Sequence, residues 1–312
     1  MKLYLSKPRG FCAGVVRAIE TVEKALELWG SPIYVKHQIV HNRHVVEDLE
    51  AKGAIFIEDL DDVPEGYRII YSAHGIPPSV REHAKKRNLI EIDASCGLVI
   101  RVHSAAKRFA NKGYHILLIG HKNHVEVIGT AGEAPEATTI IESIEDVEKL
   151  TFPVEQRLFY TTQTTLSLDD VKDITDALKT KYPLIETLPS SSICYATTNR
   201  QLALREITSN VDLVLVVGDP TSSNSNRLCE VAMKRGVPAH LINSPDEIEP
   251  SWLENVFSIG LTAGASTPES VVQKCIFHLR TLGVTETEEI EYTEENVFFE
   301  LPKQVLRGVS SH

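Results

Sequence analysis

The chain has 312 residues, 42% hydrophobic and 24% charged, with a formal net charge of −11. That length predicts more than one compact unit, and the acidic balance argues against a nucleic-acid partner, whose phosphates are met mainly by Lys and Arg. The opening MKLYLSKPRGFCAG meets charge too early for a signal peptide. No apolar run approaches transmembrane length. A cytoplasmic protein with no membrane partner is therefore expected. Five cysteines without a secretion signal make a disulfide framework a poor reading, and metal binding or catalysis a better one.

Along the chain runs an internal repeat, weak in identity but constant in order. Each copy begins with a strand-like stretch running into a cysteine: KLYLSKPRGFC, then NLIEIDASC, then PLIETLPSSSIC. A helix follows each time. After Cys12, Val15, Ile19, Val22, Leu26 and Trp29 step by three or four, and Gly30 stops the helix. After Cys96 the same spacing links Leu98, Val102, Ala105 and Phe109, with Gly113 as the stop; TTNRQLALREI follows Cys194. Next come the apolar strands PIYVKHQIV, YHILLIG and VDLVLVVG, of the kind buried on both faces of a parallel sheet. They end in the polar loops HNRH, HKNHVE and SSNSNR. A helix and a second strand follow, closed by acidic turns. A third strand, RIIYSAHG, LFYTTQTT or FSIGLTAGAS, then leads into a last helix.

Strands alternating with helices predict small parallel α/β sheets. The expected organisation is three similar small α/β units around a pseudo-threefold axis, covering residues 14–97, 98–194 and 195–283. The strand within residues 1–13 joins the last unit, and a tail over 284–312 packs on the core.

Spacing singles out the candidate site. Cys12, Cys96 and Cys194 precede His41, His124 and Asn224 by 29, 28 and 30 residues, and His74, Thr164 and Ser266 by 62, 68 and 72. Each copy thus offers a cysteine at a helix start and polar residues just past strand C-terminal ends, where open α/β sheets bind ligands. Three converging thiolates suit a [4Fe–4S] cluster with one iron left open. Without a close cysteine pair they fit a structural zinc site less well. The repeat by itself leaves cluster, zinc and plain burial open. His41, His74, His124, Thr164, Ser222, Ser223, Asn224 and Ser266 are mostly neutral donors, suited to a diphosphate. Any one histidine alone reads as an ordinary surface or core imidazole. Glu126 reads either as a proton donor shielded from water or as a residue of a helix's first turn. Cys229 and Cys275 lie on apolar helix faces and read as core.

The stretches PRGFCAGVVRAI, YVKHQIVHNRHVVEDL, SAHGIPPSV, HVEVIGT, TQTTLS, ICYATTNRQ, SSNSNRL and TAGAS resemble those of the 4-hydroxy-3-methylbut-2-enyl diphosphate reductases, the LytB family. The resemblance covers nearly the whole chain in order. It implies the last step of the non-mevalonate isoprenoid pathway, in which an allylic diphosphate loses its hydroxyl to two electrons and two protons, giving isopentenyl and dimethylallyl diphosphates. It implies a [4Fe–4S] cluster on Cys12, Cys96 and Cys194, and substrate contacts from His41, His74, His124, Thr164, Ser222, Ser223, Asn224 and Ser266. Glu126 becomes the proton donor, and reduced flavodoxin or ferredoxin the expected electron source. Two positions depart from the family pattern: Gly97 and Val125 stand where Pro is usual, which bears on how Cys96 and Glu126 are held. The competing classes are a non-redox hydro-lyase and a zinc-stabilised sensor of a phosphorylated metabolite.

Overall fold

The structure is a computed structural model and describes residues 1–306. It contains three separate parallel sheets, as the strand–helix alternation predicts. In chain order, β1 (Lys2–Lys7) leads to α1 (Ala13–Trp29), β2 (Ile33–Lys36), α2 (Arg43–Ala51), β3 (Ala54–Ile57), β4 (Arg68–Tyr71), α3 (Pro78–Lys86) and β5 (Ile90–Asp93). The second copy has α4 (Gly97–Ala110), β6 (His115–Ile119), α5 (Val125–Ala131), β7 (Thr138–Ile141), α6 (Ile144–Lys149), β8 (Leu158–Thr162) and α7 (Leu168–Lys181). The third has α8 (Tyr195–Thr208), β9 (Leu213–Val217), α9 (Ser223–Lys234), β10 (Ala239–Ile242), β11 (Ser258–Ala263), α10 (Glu269–Thr281) and β12 (Glu286–Glu291).

The sheets share one order. They run β3-β2-β4-β5, then β7-β6-β8, then β10-β9-β11-β1-β12, so the second strand of each copy always lies outside the first and the third inside it. β5 and β1, the strands leading to Cys96 and Cys12, occupy equivalent places beside β4 and β11. The stretch before Cys194 departs from this. It makes only an isolated bridge, Phe159 to Glu186, because Pro183 and Pro189 lack a donor and restrict their neighbours.

By compactness the chain divides into two units. One comprises Met1–Val15, His41–Val45 and Tyr195–Phe298; the other comprises Val16–Val40, Val46–Cys194 and the described tail from Phe299. In the first, β9 is buried along its whole length, and its alternation feeds two cores. Leu213, Leu215 and Val217 pack with Cys275 and Leu279 of α10. Val214 and Val216 pack with Leu204 and Ile207 of α8 and Cys229 of α9. Cys229 and Cys275 are thus core residues on opposite faces of one sheet. In the second unit, Leu117 and Ile119 of β6 pack on Ile174 and Leu178 of α7, while Ile116 packs with Ala105, Ala106 and Phe159. Each fully buried Leu or Ile contributes about 1.5–3 kcal/mol.

The first residues of the expected tail form an edge strand. β12 pairs in parallel with β1, Lys2 opposite Glu286 through Lys7 opposite Glu291. Its glutamates meet basic residues of β1 and the turn after it: Lys2 to Glu288 at 2.6 Å, Lys7 to Glu291 at 3.1 Å and Arg9 to Glu289 at 2.7 Å. The two lysine pairs are solvent-exposed and therefore screened, so they add little stability. Their larger effect is to keep a charged edge that discourages strand addition.

Candidate active site

Each of the three cysteines sits at a helix start, half-buried, with its backbone held the same way. The N–H of Cys96 donates to the carbonyl of Ala73 at 2.9 Å, that of Cys194 to Thr164 at 3.0 Å, and that of Cys12 to Ala265 at 3.2 Å. The acceptors lie just past β4, β8 and β11, at or beside His74, Thr164 and Ser266. Every cysteine is therefore tied to the loop of the strand that its own approach segment flanks. The contrast with Cys229 and Cys275 is chemical. Burial pushes both of those thiols up to about 12, which leaves them protonated and inert.

In the second unit a continuous set of contacts runs between two cysteines. From the loop tied to Cys96, the His74 ring lies edge-on to His124, centroids 6.1 Å apart. His124 caps α5, its Nδ1 accepting the Glu126 N–H at 3.2 Å. With Nδ1 so engaged, the neutral ring carries its proton on Nε2. Glu126 is 2% exposed. Its Oε1 accepts the Thr164 N–H at 2.6 Å, and its Oε2 pairs with the Thr164 hydroxyl at 3.0 Å. Thr164 in turn gives its carbonyl to Cys194. Burial pushes the Glu126 carboxyl up to about 7, and the two Thr164 bonds hold it from rising further. A carboxyl that is half protonated near neutral pH can deliver a proton.

In the first unit the donors are neutral. Ser222 caps α9, taking the Ser225 N–H on its hydroxyl, with Ser223 and Asn224 in the helix's first turn. Asn224 is buried, and among the described residues neither its amide oxygen nor its amide nitrogen has a hydrogen-bond partner. Such a side chain costs about 1–3 kcal/mol to bury unless something outside the protein satisfies it. The Ser266 hydroxyl donates to the His41 carbonyl at 2.9 Å. Asp219, near His41, is desolvated, yet the Thr221 hydroxyl and N–H and the Arg43 N–H hold its carboxyl below the usual range.

The helix caps correct the repeat's alignment. Spacing pairs His124 with Asn224, but the capping positions pair His124 with Ser222 and Glu126 with Asn224, two residues into each helix. In the first copy Asn42 accepts the Val45 N–H, so the matching residue is His44, whose Nε2 lies 2.8 Å from the Asn243 carbonyl. Loop lengths before the caps differ, which spacing from the cysteines cannot show.

Sequence reasoning missed several supporting residues. The Tyr195 hydroxyl accepts the Ala13 N–H at 3.2 Å, and burial together with the neighbouring Cys12 raises its pKa. His103 pairs with Glu133 at 3.1 Å. It also fills the space beside two glycines: a Cβ at Gly75 or Gly129 would come within about 3 Å of its ring. Those glycines are what lets the His74 loop and α5 close on it, and Gly75 also needs its φ of 79°. Their presence in SAHGI and VEVIGT was the available signal. At Gly97 a Cβ would stand 3.4 Å from the Phe299 ring, an ordinary van der Waals contact, so the tail's approach to the start of α4 does not require glycine there. α5 forms with Val125 at its first position, capped by His124.

The chain is similar over nearly its whole length to proteins of one family. A family model described as LytB protein matches residues 3–280. The 4-hydroxy-3-methylbut-2-enyl diphosphate reductase of Protochlamydia amoebophila (strain UWE25) is 72% identical over 308 residues, covering 99% of this chain and 98% of that protein. The solved E-1-hydroxy-2-methyl-but-2-enyl-4-diphosphate reductase from Plasmodium falciparum superposes with a TM-score of 0.96 at 54% identity, over 97% of this chain and 96% of that one. A second structure, described as (E)-4-hydroxy-3-methyl-but-2-enyl diphosphate reductase, the terminal enzyme of the non-mevalonate pathway, gives 0.64 at 29% identity, over 90% and 99%. With identity this high over nearly the full length, the chain belongs to the LytB family.

Proposed function

We propose that this chain reduces 4-hydroxy-3-methylbut-2-enyl diphosphate to isopentenyl and dimethylallyl diphosphates, with a [4Fe–4S] cluster held by Cys12, Cys96 and Cys194. Support comes from its relatives' activity and from the donor set. Three half-buried thiols at equivalent helix starts stand apart from two inert core thiols. Three thiolates without a fourth protein ligand fit a cube with one iron left open. When bound, the cluster would pass on two electrons from the reductant, one at a time, and offer a Lewis-acidic iron for the hydroxyl oxygen.

The protein's own part is binding and proton delivery. Ser222, Ser223, Asn224 and Ser266, with His41, His74 and His124, donate to the diphosphate, and the unsatisfied Asn224 amide is one such donor. Glu126 holds a proton, and the Thr164 hydroxyl, 3.0 Å from Oε2, can pass it on. One proton leaves with the hydroxyl oxygen as water when the C–O bond breaks, and a second is added to carbon. The buried Glu126 carboxyl, pushed up to about 7 beside Thr164, is the observation that carries the proton-donor role. Reduced flavodoxin or ferredoxin would supply the electrons, and the three-unit division at residues 97 and 194 belongs to the same reading.

The test is anaerobic turnover of the purified full chain with substrate and a chemically reduced mediator, with product analysis and a visible spectrum. Both isomers should form only when reductant is present, from a brown protein with a broad charge-transfer band. Loss of water without reductant would mean a hydro-lyase. Colourless protein holding one zinc would end the cluster reading.

A further inference from the structure

We propose that Arg17, Arg101 and Arg200 are a cyclic set of positioning residues: each is carried by the helix behind one cysteine and grips the approach loop of the next. The proposal rests on the reading that the three cysteines hold one cluster, and it assigns a role to three side chains which that reading leaves unused.

Arg17 stands five residues after Cys12, on α1. Its guanidinium donates to the carbonyls of Asp93 at 3.2 Å, the last residue of β5, and Ser95 at 2.9 Å, in the loop that delivers Cys96. Its Nε holds Glu300 of the tail at 2.7 Å. Arg101 stands five residues after Cys96, on α4. It donates to the Ser190 hydroxyl at 2.9 Å and the Ser191 carbonyl at 2.5 Å, in the loop that delivers Cys194. Arg200 stands six residues after Cys194, on α8. It donates to the Gly10 carbonyl through Nε at 3.1 Å and Nη2 at 2.7 Å, and reaches Phe11 at 3.4 Å, in the loop that delivers Cys12. Cys12 leads to the Cys96 loop, Cys96 to the Cys194 loop, and Cys194 back to the Cys12 loop.

The chemistry explains the residue type. These loops lack a regular ladder, so their carbonyls need donors from elsewhere. A guanidinium offers several donors in a rigid fork and can fix two acceptors at once, whereas an ammonium is a point charge on a flexible stem. Arg17 also feels the charge of Cys96, and each of the three holds the backbone just ahead of a thiol. They act on the backbone that aims it, as partners behind metal ligands do. The three are graded. Arg200 is 1% exposed and its Nη1 pairs with Glu295 at 3.0 Å, which Asn199 also holds. The Arg101 contacts lie near the surface.

The test uses Arg101→Met and Arg101→Lys in the full chain, because this near-surface position is the one whose loss the fold tolerates. Two readouts apply: iron release from the anaerobically reconstituted protein to a chelator, and amide hydrogen exchange of the metal-free protein. Arg101→Met should release iron at least fivefold faster. Exchange should rise about tenfold at residues 191–194 and stay at wild-type rates at residues 10–12 and 93–96. Arg101→Lys should not restore either. Arg17→Met should move the effect to residues 93–96. Arg200→Met, made with Glu295→Gln so that no charge is left buried alone, should move it to residues 10–12. Wild-type exchange at the targeted loop, equal loosening of all three loops, or rescue by Lys would overturn the proposal. If the wild-type chain takes up no cluster, the reading of the cysteines fails instead, and the exchange experiment still decides the arginines.

Discussion

Glu126 and Asn224 occupy the same place in two copies of the repeat, two residues past a helix cap, and both are buried. Their surroundings are opposite. Both Glu126 oxygens are bonded to Thr164, and the side chain is closed upon the protein. The Asn224 amide, among the described residues, is bonded to nothing. In the proposed function the first would store a proton in its desolvated carboxyl, and the second would keep donor and acceptor capacity for a ligand. A single supersecondary plan thus yields a bonded carboxyl and an unbonded amide at one position, through one residue change and one partner.

The largest effect should come from Glu126→Gln. It preserves size and the Thr164 contact but carries no transferable proton, so kcat should fall about 100-fold or more while substrate binding changes little. Near-normal single-turnover rates would remove Glu126 from its role. Asn224→Ala sharpens the other side. Loss of a hydrogen bond to a charged group predicts KM raised about tenfold or more with kcat less affected. Because no protein partner is stranded, the thermal midpoint should hold or rise; a large fall would show that Asn224 is structural.

A pH profile separates the two positions further. Glu126 delivers its proton only while protonated, so kcat should fall as pH rises through about 7, and the Gln variant should lose that limb. The linkage has a definite sign. The folded carboxyl titrates above its ordinary 4.5, so folding stability is highest below that value and declines as pH climbs toward 7. Thr164→Val removes a bond that favours the charged form and should shift the limb to higher pH. The smallest effect is expected at Cys229→Ala. It should cost about 1 kcal/mol in denaturant unfolding and leave iron content unchanged, whereas Cys12→Ala should lose the iron.

Much of this was legible in the chain itself. Repeated cysteines before helices, apolar strands with polar ends and glycine stops follow from local periodicity, and they marked the cysteines, Glu126 and Asn224, though not supporting residues such as Tyr195 and His103. The arginines five or six residues behind each cysteine were visible too, but a cation on a helix carries no local sign of what it grips. The alignment of Glu126 with Asn224 was not readable, because unequal loops shift the caps by two residues against the cysteine spacing.

The sequence alone determined the type and order of the elements, since hydrophobic period and capping act over a few residues. Only the tertiary structure decided what each buried polar group meets. Glu126 finds Thr164 across 38 residues, Arg17 finds Ser95 across 78, and Arg200 finds Gly10 across 190. β12 closes on β1 across almost the whole chain. Those pairings set whether a carboxyl holds a proton or an amide waits for a ligand, because desolvation and hydrogen bonding depend on neighbours in space.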